Sequence, residues 1–142
     1  MYYIDTSVLA AYYCPEILSE KVQAFLTAQI HPAISSLTDV ELCSAISKKV
    51  RMGELSHADG NRIISKFQSH LSANFFRVIH IESEHWRIAR GWLSLFHTPL
   101  RTLDALQLAV SSSEQLIIIA ADRQLLDSAK TLGVRCKSII TP

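Results

Sequence analysis

The stretch LIIIAADRQLLDSAKTLGV, residues 116–134, decides the fold. Its opening run, Leu116–Ala121, is apolar and strand-sized, and it ends on Asp122. An amphipathic run, Gln124–Leu132, follows and closes at Gly133, a residue that suits the position just past a helix. A strand feeding a helix in this way is the unit of a parallel sheet with helices on its faces. The N-terminus repeats it: apolar Tyr2–Ile4 ends on Asp5, and Thr6 and Ser7 lead into a helical segment, Ser7–Tyr12. Working outward, further strands are predicted at Ala33–Ser35, Phe76–Ile81 and Val134–Lys137. Helices are predicted at Ser19–Ala28, Leu37–Met52, Ala58–Leu71, Glu82–Phe96 and Thr102–Ser112. The expected class is α/β, a central parallel sheet of about four to five strands flanked by helices.

The 142 residues are the size of one domain, 1–142, able to bury a core without disulfides. Apolar residues make up 49%, and Gly and Pro number only four each, which excludes a disordered chain. Leu116–Ala121 is the longest apolar stretch and is too short to span a bilayer, and MYYIDTS has no signal-peptide pattern. The scattered cysteines Cys14, Cys43 and Cys136 suit a reducing cytoplasm and read as packing residues.

The two predicted strand ends carry the chemistry. In open α/β sheets the ligand crevice lies at the C-terminal ends of strands, so Asp5 and Asp122 are expected to converge there from opposite ends of the chain. Each has a structural alternative as a helix N-cap. Glu41 shares the Leu37 side of its helix and borders the stripe Leu37, Val40, Cys43 and Ile46, which is expected to be buried. Asp39 points about 160° away from it. The alternative for Glu41 is a capping box, Thr38-x-x-Glu41. Asp104 opens Thr102–Ser112, where the helix dipole favours an acid; Leu103 and Ala105 set it near a core boundary, with Arg101 as a partner for it or for a substrate phosphate. Four carboxylates in one pocket repel one another, and Mg²⁺ or Mn²⁺, both preferring oxygen ligands, would compensate. Metal-assisted hydrolysis of a phosphodiester is the coherent chemistry.

Four segments carry a family resemblance: DTSVL (5–9), SSLTDVEL (35–42), LRTLDALQLA (100–109) and AADRQLLDSAKTLGV (120–134). Their order and coverage resemble PIN-domain proteins, and within them VapC-like ribonuclease toxins. By resemblance, Asp5, Glu41, Asp104 and Asp122 fall on the metal-binding acids, Glu41 directly or through water, with Ser7 on a supporting hydroxyl position beside Thr6. The resemblance implies a three-layer sandwich, Mg²⁺ or Mn²⁺ as cofactor, endonucleolytic cleavage of RNA, a homodimer and a small antitoxin protein that occludes the site. Where many relatives carry a further acid, this chain has Leu125, and Asp127 is expected to be exposed. One metal ion is therefore the expected resting state.

Other chemistries lack their signatures. The six histidines show no HExxH or His/Cys spacing for zinc, the four glycines build no phosphate loop, and no GxSxG elbow is present. With the four site acids set aside, 9 of the 13 acidic residues remain against 14 basic ones, a balance of +5 that leaves room for a basic rim. Lys48, Lys49, Arg51, Arg62 and Lys66 are candidates to guide an RNA backbone, and Tyr12 and Tyr13 to stack on a base or line an antitoxin groove. Trp86 reads as core, on a stripe with Ala89, Leu93 and Phe96, and Trp92 as a surface residue available to a partner. From a different class, the chain reads as a PIN-fold binding module without nuclease activity, acting in a protein complex.

Overall fold

The computed structural model describes residues 1–14 and 18–140. Tyr2–Ile4 (β1) and Ile117–Ala120 (β4) are apolar along nearly their whole length, as strands covered on both faces must be, and they pair in parallel with Ile4 opposite Ile119. Ala33–Ser35 (β2) flanks β1 on the other side, with Arg77–Ile79 (β3) beyond it, and Cys136–Ser138 (β5) borders β4. The sheet order is β3-β2-β1-β4-β5, parallel throughout. The chain therefore winds outward from β1 on one side and returns to build the other. That reversal is the switch point at which open α/β sheets place ligands.

Seven helices complete the described chain: α1 (Thr6–Tyr13), α2 (Ser19–Thr27), α3 (Ser36–Arg51), α4 (His57–Ser72), α5 (Ser83–Leu93), α6 (Thr102–Ser113) and α7 (Arg123–Thr131). Successive strand residues feed opposite layers. Ile4 and Ile119 join Val8, Leu42, Ile46 and Phe67 on one face, whereas Tyr3 and Ile118 join Leu108, Leu125 and Ala129 on the other. This is the expected three-layer sandwich. Ala89, Ala105 and Ala109 are small enough at the α5–α6 contact to let those helices pack closely around the buried Leu106. Gly133, with φ +75°, ends α7 in the left-handed conformation the sequence anticipates. Among the described residues no helix is long and apolar enough to cross a membrane.

Two helix faces differ from expectation. On α3 the buried residues are Thr38, Leu42 and Ile46, while Val40 is 67% exposed. On α5 they are His85 and Ala89; Trp92 packs partly buried against the core and Trp86 is 56% exposed, so the two tryptophans exchange roles. A buried polar residue turns the true stripe around each helix, by about 100° on α3 and by roughly half as much on α5, where Ala89 belongs to both stripes. Helix α5 also stops at Leu93, three residues early, because Phe96 adopts a φ of 59° that no helix accommodates.

Candidate metal centre

Asp5 leaves β1 with its backbone N–H bonded to the Ile119 carbonyl at 3.0 Å, then caps α1. Its Oδ2 accepts from the Ser7 N–H at 3.1 Å and from Ser7 Oγ at 2.5 Å. Ser7 Oγ in turn accepts from the Ala121 N–H at 3.1 Å, so one hydroxyl ties the end of β1 to the turn that carries Asp122. Asp122 caps α7: its Oδ1 accepts from the N–H groups of Gln124 at 2.9 Å and Leu125 at 3.2 Å. The capping role and the position at a strand end are thus compatible for both acids, because a cap occupies only one oxygen.

Glu41 is relieved of capping. Helix α3 starts at Ser36, and the box at its N-terminus is formed by Ser35 and Thr38, with the Ser35 N–H donating to Thr38 Oγ1 at 3.1 Å. The Thr38–Glu41 box is therefore replaced. Glu41 instead accepts on Oε1 from Thr6 Oγ1 at 3.2 Å and from Gln107 Nε2, while Asp39 is exposed. Gln107 is buried on α6, three residues past Asp104, and its Oε1 also accepts from the Tyr3 hydroxyl and Ser35 Oγ. Sequence reasoning missed Gln107. The only signal was a lone amide within the apolar run Ala105–Ala109.

The acids feel one another. Asp5, 7% exposed, has its pKa pushed up to about 6, first by burial and then by the charges of Glu41 and Asp104, against the Ser7 hydrogen bonds. Burial also raises Glu41, opposed by the Gln107 and Thr6 bonds and reinforced by Asp104. Asp104 is raised by burial and by Asp122, with Arg101 acting in the opposite sense. The chain of repulsions thus links all four carboxylates across β1, α3, α6 and the β4–α7 turn. Among the described residues no three His, Cys, Asp or Glu groups are gathered tightly enough to grip an ion as they stand. The donors are nonetheless all oxygen, and among the described residues no ion pair involves any of the four acids, which fits a hard divalent ion that retains water.

Several residues named on sequence grounds lie elsewhere. Lys48 and Arg51 are 7 and 10 residues past Glu41 on α3, roughly 10 and 15 Å along the helix axis. Arg62 pairs with Asp59 at 2.9 Å and Lys49 with Glu54 at 3.8 Å. Arg101 stands at the N-cap position of α6, three residues before Asp104 and close enough to act on its charge, and Arg123 opens α7 directly after Asp122. Tyr13 is buried and bonded to His70 Nδ1 at 2.6 Å, so it serves packing. Leu125 faces the core, and Asp127 is exposed as expected.

The PIN-domain sequence profile matches residues 2–130. This chain belongs to the PIN-domain family. No curated protein matches it in sequence. Among solved structures, FitAcB from Neisseria gonorrhoeae superposes with a TM-score of 0.78 at 17% identity, over 100% of both chains. VapC20 of Mycobacterium tuberculosis, described as a Sarcin-Ricin loop cleaving toxin, gives 0.71 at 16% identity over 90% of this chain and 95% of its own. VapBC2 from Rickettsia felis, bound to a DNA fragment from its promoter, gives 0.69 at 15% identity over 96% and 97%. At these identities the likeness is one of fold.

Proposed function

We propose that this PIN domain is a divalent-cation-dependent endoribonuclease, the toxin of a toxin–antitoxin pair, working in the cytoplasm as a homodimer with its activity masked by a small antitoxin protein. The observation that carries the reading is the unbroken electrostatic coupling of Asp5, Glu41, Asp104 and Asp122 at the switch point of the sheet. Scaffolding alone gains nothing from that repulsion. The Sarcin-Ricin loop cleaving toxin of the same fold supports the choice of substrate, and a toxin–antitoxin complex from Klebsiella pneumoniae of the same fold supports that of partner.

In this account Asp5, Asp104 and Asp122 would hold one Mg²⁺ or Mn²⁺, with Glu41 joining them directly or through water. When bound, the ion supplies a Lewis acid that lowers the pKa of a water and stabilises charge on the phosphate. Ser7 orders Asp5 and Thr6 orders Glu41 through the bonds described above. Arg101, beside Asp104 at the start of α6, and Arg123, beside Asp122 at the start of α7, would meet a scissile phosphate brought to the acids. For the homodimer, the hollow between α5 and α6, lined by Trp86, Arg90, Leu93 and Leu106, offers an apolar face beside the exposed Leu103.

The test is incubation of purified protein with structured RNAs in Mn²⁺, alongside an EDTA arm and the Asp5→Asn and Asp122→Asn variants. Endonucleolytic cuts in Mn²⁺ alone, lost in EDTA and in both variants, are expected. Cleavage that survives EDTA or either substitution overturns the mechanism.

A further inference from the structure

We propose that Tyr3 and Gln107 form a buried positioning relay that fixes the Glu41 carboxylate with one oxygen turned to the acid cluster. Gln107 is 1% exposed and Tyr3 fully buried, so every polar group they carry needs a partner inside the protein. The amide can serve in only one orientation. An ionised carboxylate accepts and cannot donate, which requires Nε2 to face Glu41; a phenol has a proton to give, which requires Oε1 to face Tyr3. Rotating the amide by a half-turn would set its oxygen against the Glu41 carboxylate and hand the Tyr3 phenol proton to the Ser35 and Thr38 hydroxyls beside it. Tyr3 and Ser35, at 3.4 Å on the same Oε1, therefore lock the amide.

The lock is passed on to Glu41. Gln107 from α6 and Thr6 from α1 both donate to Glu41 Oε1, so a side chain with three rotatable bonds is held from two elements, and Oε2 is the atom left for the cluster. Partners of this kind, one step removed from a metal, set ligand orientation, and their loss typically weakens metal affinity by about 10- to 100-fold. The inference rests on the metal-site reading only for what Oε2 meets.

The test has a metal-free and a metal-bound readout. In metal-free protein, the side-chain amide resonances of Gln107 are expected to shift in both Tyr3→Phe and Glu41→Gln; resonances unmoved by both overturn the relay. In calorimetric Mn²⁺ titrations, Gln107→Met, close to the native volume, should weaken binding by roughly 10-fold or more. Tyr3→Phe should weaken it less, and the double variant no more than Gln107→Met alone, because the hydroxyl acts only through the amide. Additive losses, or binding by folded Gln107→Met within about twofold of the parent, contradict the relay. Should Gln107→Met not fold, Tyr3→Phe, which deletes a single hydroxyl, carries both readouts. If the unsubstituted chain takes up no Mn²⁺ while the amide shifts occur, the relay is supported and the metal reading falls.

Discussion

At the scale of the residue, Asp5 shows how the site trades stability for charge. The folded chain holds the Asp5 proton up to about pH 6, against an ordinary value of 3.8, so between these values the native state binds more protons than the unfolded one. Stability must therefore decline as pH rises through that window. Metal-free protein is expected to be more stable at pH 5 than at pH 7.5 by on the order of 1 kcal/mol from Asp5 alone, with Glu41 and Asp104 adding in the same direction. Asp5→Asn keeps the cap and the acceptor for Ser7 but removes the buried charge. Its melting temperature at pH 7.5 without metal should exceed that of the parent by about 3 °C or more, and the pH slope should flatten; a lower melting temperature would refute the uncompensated charge. Ser7→Ala is expected to cost about 1–3 kcal/mol in denaturant titrations, because the Ala121 N–H and Asp5 Oδ2 both lose their hydroxyl partner. That Glu41 is half-buried and Asp39 exposed agrees with their angular separation on α3, although the stripe that Glu41 was expected to border was misplaced. Gln107 was not legible, because a single buried amide has no periodicity and its partners come from β1, β2 and α3.

At the scale of the element, the strands were readable where apolar runs end on an acid. The N-terminal strand and Ala33–Ser35 agree with the structure residue for residue, while the edge strands moved: β5 begins at Cys136 rather than Val134. Edge strands take their limits from pairing, which no local pattern encodes. The faces of α3 and α5 were misread for one reason: Thr38 and His85 are buried polar residues whose hydroxyl and imidazole bond backbone N–H groups at the helix starts, and a polar residue is read as a solvent-facing one. Gly60 illustrates a constraint equally invisible in sequence. It lies on α4 where an added Cβ would meet Val50 Cγ2 of α3 at 2.9 Å. Gly60→Leu is expected to lower stability by at least about 1 kcal/mol in denaturant titrations despite the better helix propensity, since overpacking outweighs it. A stabilised Gly60→Leu would show that α3 and α4 can separate freely.

At the scale of the whole molecule, a sheet that winds outward from β1 and returns through β4 brings acids from positions 5, 41, 104 and 122 to one edge. The strand order that achieves this follows from pairing and not from any single segment; the strand-end pattern announced the approach of Asp5 and Asp122, and the family blocks added Glu41 and Asp104 with more force than their helix positions alone. The outer face has its own expectation: if the α5–α6 hollow seals a homodimer, Trp86→Glu should convert a dimer to a monomer by light scattering while preserving the fold. A dimer that persists unchanged moves the interface elsewhere. The central claim, hydrolysis by water at a cation-dependent acid cluster, is tested most directly by the ends of the cut RNA. Cleavage in ¹⁸O-labelled water with Mn²⁺ should leave 3′-hydroxyl ends and 5′-phosphates carrying the label, with no products in EDTA. Unlabelled 2′,3′-cyclic phosphates, formed equally well in EDTA, would contradict it.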